Sequence, residues 1–341
     1  MKNLRKYLIT TMIMLIVVYL LVGFRLPYYI YRPGSADVLE PIVKVDDGYK
    51  SKGSMHMVTV SGGQATLLGL MLAKMTPHNE ILPIDEVRPK GITNDQYRHA
   101  QIEMMEGSQE KATIVGYKAA GADIEIKYKG VYVVSAIKGM PAYGKLKKGD
   151  LITSIDGTEV KSAEDLMRIL QDKQAGDKVQ VDYKRGKKKQ QAEIQLKMFN
   201  KGSEKAGLGI QLVTDRELDV DPKIHFSSGD VGGPSAGLMF SLEIYDQLTK
   251  KDLTGGHEIA GTGEISYEGD IEPIGGIDKK VIAADQQGIE IFFAPNEHGK
   301  ENSNYKVAKA TADEIGTKMK IVPVDTFKEA LNYLEKLPPK K

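Results

Sequence analysis

The chain has 341 residues, enough for about two or three domains with buried cores. Lysine and arginine number 47 and aspartate and glutamate 46, so the formal charge of +1 excludes nucleic-acid binding driven by overall charge. Because the chain has no cysteine, thiol catalysis, iron–sulfur clusters and cysteine zinc sites are excluded.

An uncharged apolar run occupies residues 8–24 and follows three basic residues. As a helix it extends about 25 Å, the short end of what a bilayer core of about 30 Å requires. A cleaved signal peptide is the alternative, but the run exceeds the usual apolar core of about 7–15 residues, and Gly34–Ala36 is a weak, late cleavage site. We therefore predict a cytoplasmic N-terminus and transmembrane anchor at 1–25. Since basic flanks favour the cytoplasmic side, the remaining chain is expected outside the cell membrane.

Residues 26–120 form a predicted N-terminal region to which we assign no chemistry. Proline and glycine over 26–54 predict an irregular stalk. A short strand, an apolar helix at 65–75 and a more polar helix capped at Asn94 follow. We expect the apolar helix to pack against the later domains, and a lid or peptide-binding face is the alternative.

Residues 121–200 show short alternating strands separated by turns. Two strands flank the basic turn at 184–189, which is typical of a hairpin. The segment resembles a PDZ domain of the bacterial protease-associated kind in four places: Gly130-Val-Tyr-Val-Val134, Lys138-Gly-Met-Pro-Ala142, Leu146-Lys-Lys-Gly-Asp-Leu-Ile152 and Ile155-Asp-Gly157.

The PDZ resemblance implies that an extended peptide C-terminus adds to an exposed sheet edge, with its carboxylate held by backbone N–H groups. We place these donors at Gly130, Val131, Tyr132 and Val133. A neighbouring domain that covers the edge is the alternative.

Residues 139–145 have the spacing of a Walker A motif, but Leu146 stands where a serine or threonine coordinates magnesium. We find no other P-loop in the sequence, so we expect neither nucleotide binding nor nucleotide hydrolysis.

Ser235 lies in a turn rich in glycine and proline, directly before a predicted amphipathic helix with Leu238 and Leu242 on one stripe. At a helix N-terminus, free N–H groups and the helix dipole stabilise an alkoxide or a tetrahedral oxyanion. We therefore predict that Ser235 is a nucleophile, with the backbone N–H groups of Gly233, Ser235 and Ala236 as the oxyanion hole. An ordinary helix cap is the alternative.

A serine nucleophile needs a proton acceptor, and two classes compete. Residues 233–237 match the Gly-x-Ser-x-Gly elbow of α/β-hydrolases, which would need His257 or His298, but a loop rather than a strand precedes Ser235. A lysine is the favoured base, provided that burial lowers its pKa from about 10.4.

Lys279 and Lys280 begin a helix that follows a Gly-Gly turn. Because adjacent helical residues differ by about 100°, only one of them can face Ser235. Lys280 shares a face with Ala283 and Ala284, the predicted buried stripe, so we predict Lys280 as the base and Lys279 on the solvated surface.

Residues 205–335 resemble the proteolytic domain of Lon, a Ser-Lys peptidase. The motifs are Pro234-Ser-Ala-Gly237, Thr262-Gly-Glu-Ile265, Pro273-Ile-Gly-Gly-Ile277 and Lys280-Val-Ile-Ala-Ala284. The resemblance implies that Ser235 is the nucleophile, Lys280 the general base and Thr262 the hydroxyl that orients the lysine. Gly232 departs from the aspartate that the family has there. Because the ATPase module of Lon is missing from this sequence, we do not expect processive degradation of folded proteins.

An anchor, a PDZ-like domain and a Lon-like domain in one chain resemble the YlbL/SepM group of membrane-anchored proteases of Gram-positive bacteria. The resemblance implies an α+β multidomain fold with an N-terminal transmembrane helix, a PDZ-like β-rich domain and a Lon-type proteolytic α/β domain. It also implies an ATP-independent serine endopeptidase that makes limited cleavages in secreted peptides, such as a competence-stimulating pheromone, at the outer face of the membrane.

The expected partners are a secreted or unfolded peptide and the membrane, with no nucleic acid, nucleotide, metal or other cofactor. The sequence leaves the oligomeric state open. The alternative function is a catalytically silent membrane scaffold that binds peptide C-termini through the PDZ-like domain.

Overall fold

The computed structural model describes residues 2–88, 91–199 and 206–340. The helices in this part are α1 (Lys2–Val18), α2 (Leu67–Met75), α3 (Ile84–Val87), α4 (Asn94–Ala120), α5 (Ala163–Leu170), α6 (Gly237–Leu248), α7 (Ile277–Gln286), α8 (Asn304–Ile315) and α9 (Phe327–Glu335). A π-helical turn, Tyr19–Gly23, continues α1, and a 3₁₀ turn lies at Glu297–Gly299.

The strands in the same part of the chain are β1 (Arg25–Val38), β2 (Val43–Val45), β3 (Ser54–Thr66), β4 (Glu80–Pro83), β5 (Asp123–Ala136), β6 (Leu151–Ile155), β7 (Thr158–Glu159), β8 (Lys178–Arg185), β9 (Lys188–Gln195), β10 (Lys197–Met198), β11 (Ala206–Gly207), β12 (Ile210–Asp221), β13 (Ile224–Phe226), β14 (Glu258–Gly261), β15 (Glu264–Ile265), β16 (Ile271–Glu272), β17 (Ile291–Pro295) and β18 (Lys320–Val324). Helices and strands are therefore mixed, which confirms the predicted α+β class.

The chain divides into two units. Unit 1 combines Met1–Asp123 with Val220–Lys341, and unit 2 is Ile124–Asp219. The division differs from the predicted one, in which 26–120 forms a region separate from a proteolytic domain at 205–335. The two segments fold together because their strands share one sheet, and no local pattern in the sequence reports that pairing.

The main sheet of unit 1 has the strand order β18-β17-β14-β3-β1-β4. β3 lies parallel to β14, with Met57 opposite Gly261, while β1 and β3 pair antiparallel. The prediction of an irregular stalk is therefore wrong over β1. Its Pro33 lies at a register shift, where a missing N–H is tolerated. At Gly34, an added Cβ would lie 2.6 Å from the Thr59 carbonyl oxygen, so only glycine fits against β3.

The core of unit 1 lies between the sheet and its helices. Val58, Ala260 and Phe292 of three neighbouring strands pack against Val281 and Ala284 of α7. Helix α6 packs against α4 and is buried on nearly all sides. The sequence predicts an amphipathic α6, whereas the structure encloses it, because the preceding region of the chain covers the face expected to be exposed.

Glu243 of α6 is a buried acid that is only 5% exposed. The Gln247 side chain donates a hydrogen bond to Glu243 Oε1 at 2.6 Å, and it also bonds the backbone of Val43 and Val45 in β2. Burial raises the pKa of the Glu243 carboxyl to about 7. The protonated form is therefore compatible with the fold, and the ionised form destabilises it.

Glu243→Gln is expected to stabilise the protein more at pH 8.5 than at pH 5. The pKa of Glu243 in the folded state lies above its ordinary value. The stability that its protonated carboxyl contributes is therefore fully present below about pH 4.5 and is lost as pH rises through about 7. Glutamine keeps the acceptor and removes that loss, a difference of about 2 kcal/mol between the two pH values. Thermal unfolding at both pH values, with the exposed Glu301→Gln as control, measures it. Equal shifts at the two pH values would contradict the assignment.

The described part of unit 2 has a six-stranded sheet: five strands follow the order β12-β5-β6-β8-β9, and the sixth, β7, pairs with β6. Its core contains Val131, Ile152, Val181, Ile194 and, from α5, Leu166. β8 and β9 form the predicted hairpin, with Arg185 opposite Lys188 and Gly186 in the turn. Over its described residues, unit 2 is thus a β-rich domain with one helix.

Residues Asn3–Gly23 are long and apolar enough to cross a bilayer, and none of this stretch is buried within the protein. They comprise most of α1 and the π turn that continues it. The length and composition thus agree with the predicted apolar N-terminal segment.

Candidate active site

Ser235 lies in the turn that leads into α6, one residue before the N-terminal cap Ala236. The preceding Gly233 has a φ of +92°, a conformation that glycine adopts without strain. Ser235 Oγ lies 2.6 Å from Lys280 Nζ. The structure therefore brings together the predicted nucleophile and the predicted base, which are 45 residues apart.

Lys280 projects from the first turn of α7, which begins after Gly276 in the left-handed conformation. Lys280 is only 3% exposed, and burial lowers the pKa of its amine to about 7. Its amine contacts two hydroxyls, that of Ser235 and that of Thr262. A lysine in this environment supplies a neutral amine near physiological pH, as a general base requires.

Thr262 follows β14, and its hydroxyl contacts both the Ser235 backbone and the Lys280 side chain. Its hydroxyl donates to the Ser235 carbonyl oxygen at 3.0 Å and lies 2.8 Å from Lys280 Nζ. Since its proton is directed to that carbonyl, the oxygen offers only lone pairs to the lysine. Thr262 therefore accepts an N–H of Lys280, which leaves the lone pair of the neutral amine for Ser235.

Lys279 is buried as well, contrary to the predicted solvated position. Its amine lies 2.8 Å from Glu80 and 3.0 Å from Asp278. Burial acts to lower the pKa of Lys279, but the hydrogen bonds to the two carboxylates outweigh it and raise the pKa above the ordinary value. Adjacent lysines thus have opposite electrostatic environments, because only Lys279 has acidic partners.

Gly233 does not serve in the predicted oxyanion hole in this conformation. Its N–H donates to the carbonyl oxygen of Gln101 in α4 at 2.8 Å. An N–H used in this way cannot also stabilise an oxyanion. The backbone N–H groups of Ser235 and Ala236, at the start of α6, are the candidates that remain.

Helix α4 holds the loop before Ser235, a role that sequence reasoning missed. In addition to the Gln101 carbonyl, two side chains of α4 contact this loop. The Ser108 hydroxyl donates to the Pro234 carbonyl oxygen at 2.8 Å, and the Arg98 guanidinium donates to Asp230 Oδ1 at 3.3 Å. Ser108 is buried, so its hydroxyl fixes the peptide next to the nucleophile. A serine in a helix carries no local signal for this role, because its partner lies 126 residues away.

A cleft of about 1220 Å³ opens beside Ser235 and Lys280. Its apolar lining includes Met57, Leu82, Met105 and Ile274, and Lys279 and Glu80 supply a compensated charge pair. A cleft of this size with a partly apolar and partly polar lining can accommodate a stretch of polypeptide.

Gly130, Val131, Tyr132 and Val133, the predicted carboxylate-binding residues, lie instead within the sheet of unit 2. Val131 pairs with Ile152 and Tyr132 with Leu151, while the Val133 N–H donates to the Asp150 carbonyl oxygen. The prediction is wrong because β5 lies between β6 and β12 rather than at an edge.

An edge of the unit 2 sheet is provided by β12, and the turn before it contains Gly209 at a φ of +76°. The N-terminus of α5 contacts this strand, since the Ala163 N–H donates to Thr214 Oγ1 at 2.8 Å. Strand, turn and helix together form one side of unit 2.

Comparisons with known proteins find matches to two families. Residues 109–196 match the family described as PDZ domain, and residues 185–336 match the Lon protease (S16) C-terminal proteolytic domain. The Lon protease of Metamycoplasma arthritidis is 36% identical over 113 residues, which are 33% of this chain and 13% of that protein. The Lon protease of Mycoplasma mycoides subsp. mycoides is 29% identical over 150 residues, 43% of this chain and 17% of that protein.

Among solved structures, the PDZ domain of an SdrC-like protein from Listeria monocytogenes is 42% identical, with a TM-score of 0.25. The similarity covers 26% of this chain and 93% of that domain.

The domain around Ser235 and Lys280 is therefore a serine peptidase domain. More particularly, the chain combines a PDZ domain with a Lon-type C-terminal proteolytic domain. The chain spans about 13–17% of the length of these two Lon proteases. The Lon match begins at 185, whereas β1, β3 and α4 of the same folded unit precede unit 2 in the chain.

Proposed function

We propose that the protein is a membrane-anchored serine endopeptidase that makes limited cleavages in secreted peptides without ATP. The observation that carries the proposal is the 2.6 Å contact between Ser235 Oγ and the buried amine of Lys280. A scaffold would need neither a desolvated lysine nor a hydroxyl within its reach. The resemblance to the YlbL/SepM group supports peptides of the competence-stimulating pheromone type as substrates and an extracellular site of cleavage.

In the proposed reaction, the neutral amine of Lys280 accepts the proton of Ser235 Oγ as that oxygen attacks a peptide carbonyl carbon. The oxyanion develops near the N–H groups of Ser235 and Ala236, where the dipole of α6 stabilises negative charge. The Lys280 ammonium then gives its proton to the leaving amine. Water attacks the acyl-enzyme ester with Lys280 again as base, which releases the second product and restores Ser235.

The proposal is tested by incubating the full chain in lipid with a panel of synthetic secreted-type peptides, with and without ATP. Mass spectrometry is expected to find defined cleavage products at equal rates in both conditions. Cleavage only with ATP would overturn the ATP-independent mechanism, and a folded protein that cuts no peptide would favour the scaffold.

Thr262→Val is expected to lower kcat by about 10–100-fold, because the lysine loses the acceptor that orients it. Thr262→Ser keeps the hydroxyl and is expected to retain most of the activity. Steady-state kinetics with one peptide measure both variants. Equal activity of the valine and serine variants would contradict an orienting role.

We further propose that unit 2 binds peptide C-termini at the edge of β12, with carboxylate donors in the Gly207–Ile210 turn. The exposed edge and the nearby N-terminus of α5 support this location. In the Ser235→Ala background, fluorescence anisotropy is expected to show about tenfold tighter binding of a free-acid peptide than of its C-terminal amide. Equal affinities would exclude carboxylate recognition.

A further inference from the structure

Helix α2 presents a stripe of exposed apolar side chains. Leu67 and Leu68 are each 40% exposed, Met71 55%, Leu72 54% and Met75 82%. Their spacing of three to four residues places all five on one face, while Ala73 on the opposite face is buried. The sequence predicts that this helix packs against the domains that follow, but the structure leaves its most apolar face exposed.

The position of α2 is fixed relative to the apolar N-terminal helix. Thr66, which caps α2, pairs with Arg25 at the start of β1. Arg25 comes two residues after the π turn Tyr19–Gly23, against which α2 also packs. The stripe therefore begins at the level at which the candidate membrane span ends.

We propose that α2 lies in the interface of the lipid bilayer, with its leucine and methionine stripe in the acyl chains of the leaflet where the N-terminal span ends. The inference rests on the proposed membrane anchoring. It adds a second lipid contact to unit 1, because β1, which follows the span, pairs with β3, which leads into α2.

Length and composition support lipid as the occupant. Nine helical residues extend about 13 Å, too short to cross a bilayer but suited to lie in its plane. Lys74 flanks the stripe, from which its long side chain can extend towards lipid phosphates.

A second copy of the chain fits this face less well. Five partly exposed leucine and methionine side chains offer on the order of 500 Å², below the roughly 800 Å² that each partner contributes to a standard stable interface. The stripe of α2 is instead continuous with the N-terminal span, whose surface contacts lipid in the proposed anchoring.

The chain has no cysteine, so single cysteines can be labelled selectively in the full-length protein. A nitroxide would be placed in turn at Met71→Cys, at Leu15→Cys in α1 and at Met167→Cys, an exposed methionine on α5. Each variant is reconstituted in phosphatidylcholine and phosphatidylglycerol vesicles. An unchanged thermal unfolding temperature verifies the fold of each variant. Collision rates with oxygen, which concentrates in lipid, and with a water-soluble nickel chelate report the depth of each label.

The label at position 71 is expected about 5–10 Å below the headgroup boundary, and that at position 167 in water. A water-exposed label at 71 beside a lipid-exposed label at 15 would overturn the role of α2 and leave the anchor intact. A label at 71 shielded from both reagents, with cross-linking between chains through Met75→Cys, would identify a second copy as the occupant instead. A water-exposed label at 15 would overturn the anchoring itself and α2 with it.

Discussion

Ser235→Ala is expected to abolish peptide cleavage, with a loss of about 10⁴-fold or more in kcat. The variant removes the one oxygen that lies 2.6 Å from the buried amine of Lys280. The hydroxyl is small and half-buried, so the turn before α6 should keep its conformation. Mass spectrometry over long incubations, with the thermal unfolding temperature as a check of folding, measures the effect.

Ser241→Ala, in the helix α6 that follows Ser235, provides a matched control. Its hydroxyl bonds the carbonyl oxygens of Gly237 and Leu238 and contacts none of the proposed reacting groups. This variant is expected to keep kcat within about threefold of wild type and to change stability by about 1 kcal/mol. Cleavage at an unchanged rate by Ser235→Ala would show that another group attacks the substrate.

The part of the site that the sequence predicts is the part encoded in short segments. A serine after a Gly-Pro turn and a lysine in the first turn of a helix each have a local pattern, whereas Thr262 is predicted only through the resemblance to the Lon proteolytic domain. Helical periodicity also selects Lys280 over Lys279, since the 100° between neighbours is a property of the backbone alone. The structure brings the Lys280 amine within hydrogen-bond distance of the Ser235 and Thr262 hydroxyls.

Long-range pairing accounts for what the sequence does not predict. The parallel register of β3 with β14 joins segments about 200 residues apart, and the PDZ domain lies between them in the chain. Two other contacts join residues that are far apart in the chain and cannot be predicted from local patterns. The Gly233 N–H donates to the Gln101 carbonyl oxygen, and the carboxylate of Glu80 pairs with Lys279. Which strand forms an edge, as β12 does in unit 2, is likewise a property of the assembled sheet.

Lys280→Met is expected to reduce kcat about 10³-fold or more, because methionine fills a similar volume but accepts no proton. In the wild-type protein, kcat/KM should rise about tenfold per pH unit below pH 7 and level off above it, since the free enzyme must hold the neutral amine. Lys279→Met is the control: it should retain the limb near pH 7, because its ion pairs do not contact Ser235. If Lys279→Met shifted this limb of the pH–rate profile, the assignment of the base to Lys280 would be wrong.

Lys280→Met is also expected to stabilise the fold. The pKa of Lys280 lies below its ordinary value in the folded state, so the stability associated with this group is present above about pH 10.5 and is lost as pH falls through about 7. Methionine removes that loss, and its gain in the free energy of unfolding should be larger at pH 6 than at pH 9 by on the order of 2 kcal/mol. Denaturant unfolding at the two pH values measures it. If Lys280→Met is inactive yet more stable than wild type, Lys280 serves the reaction and lowers the stability of the fold. If the variant is less stable than wild type, Lys280 has a structural role instead.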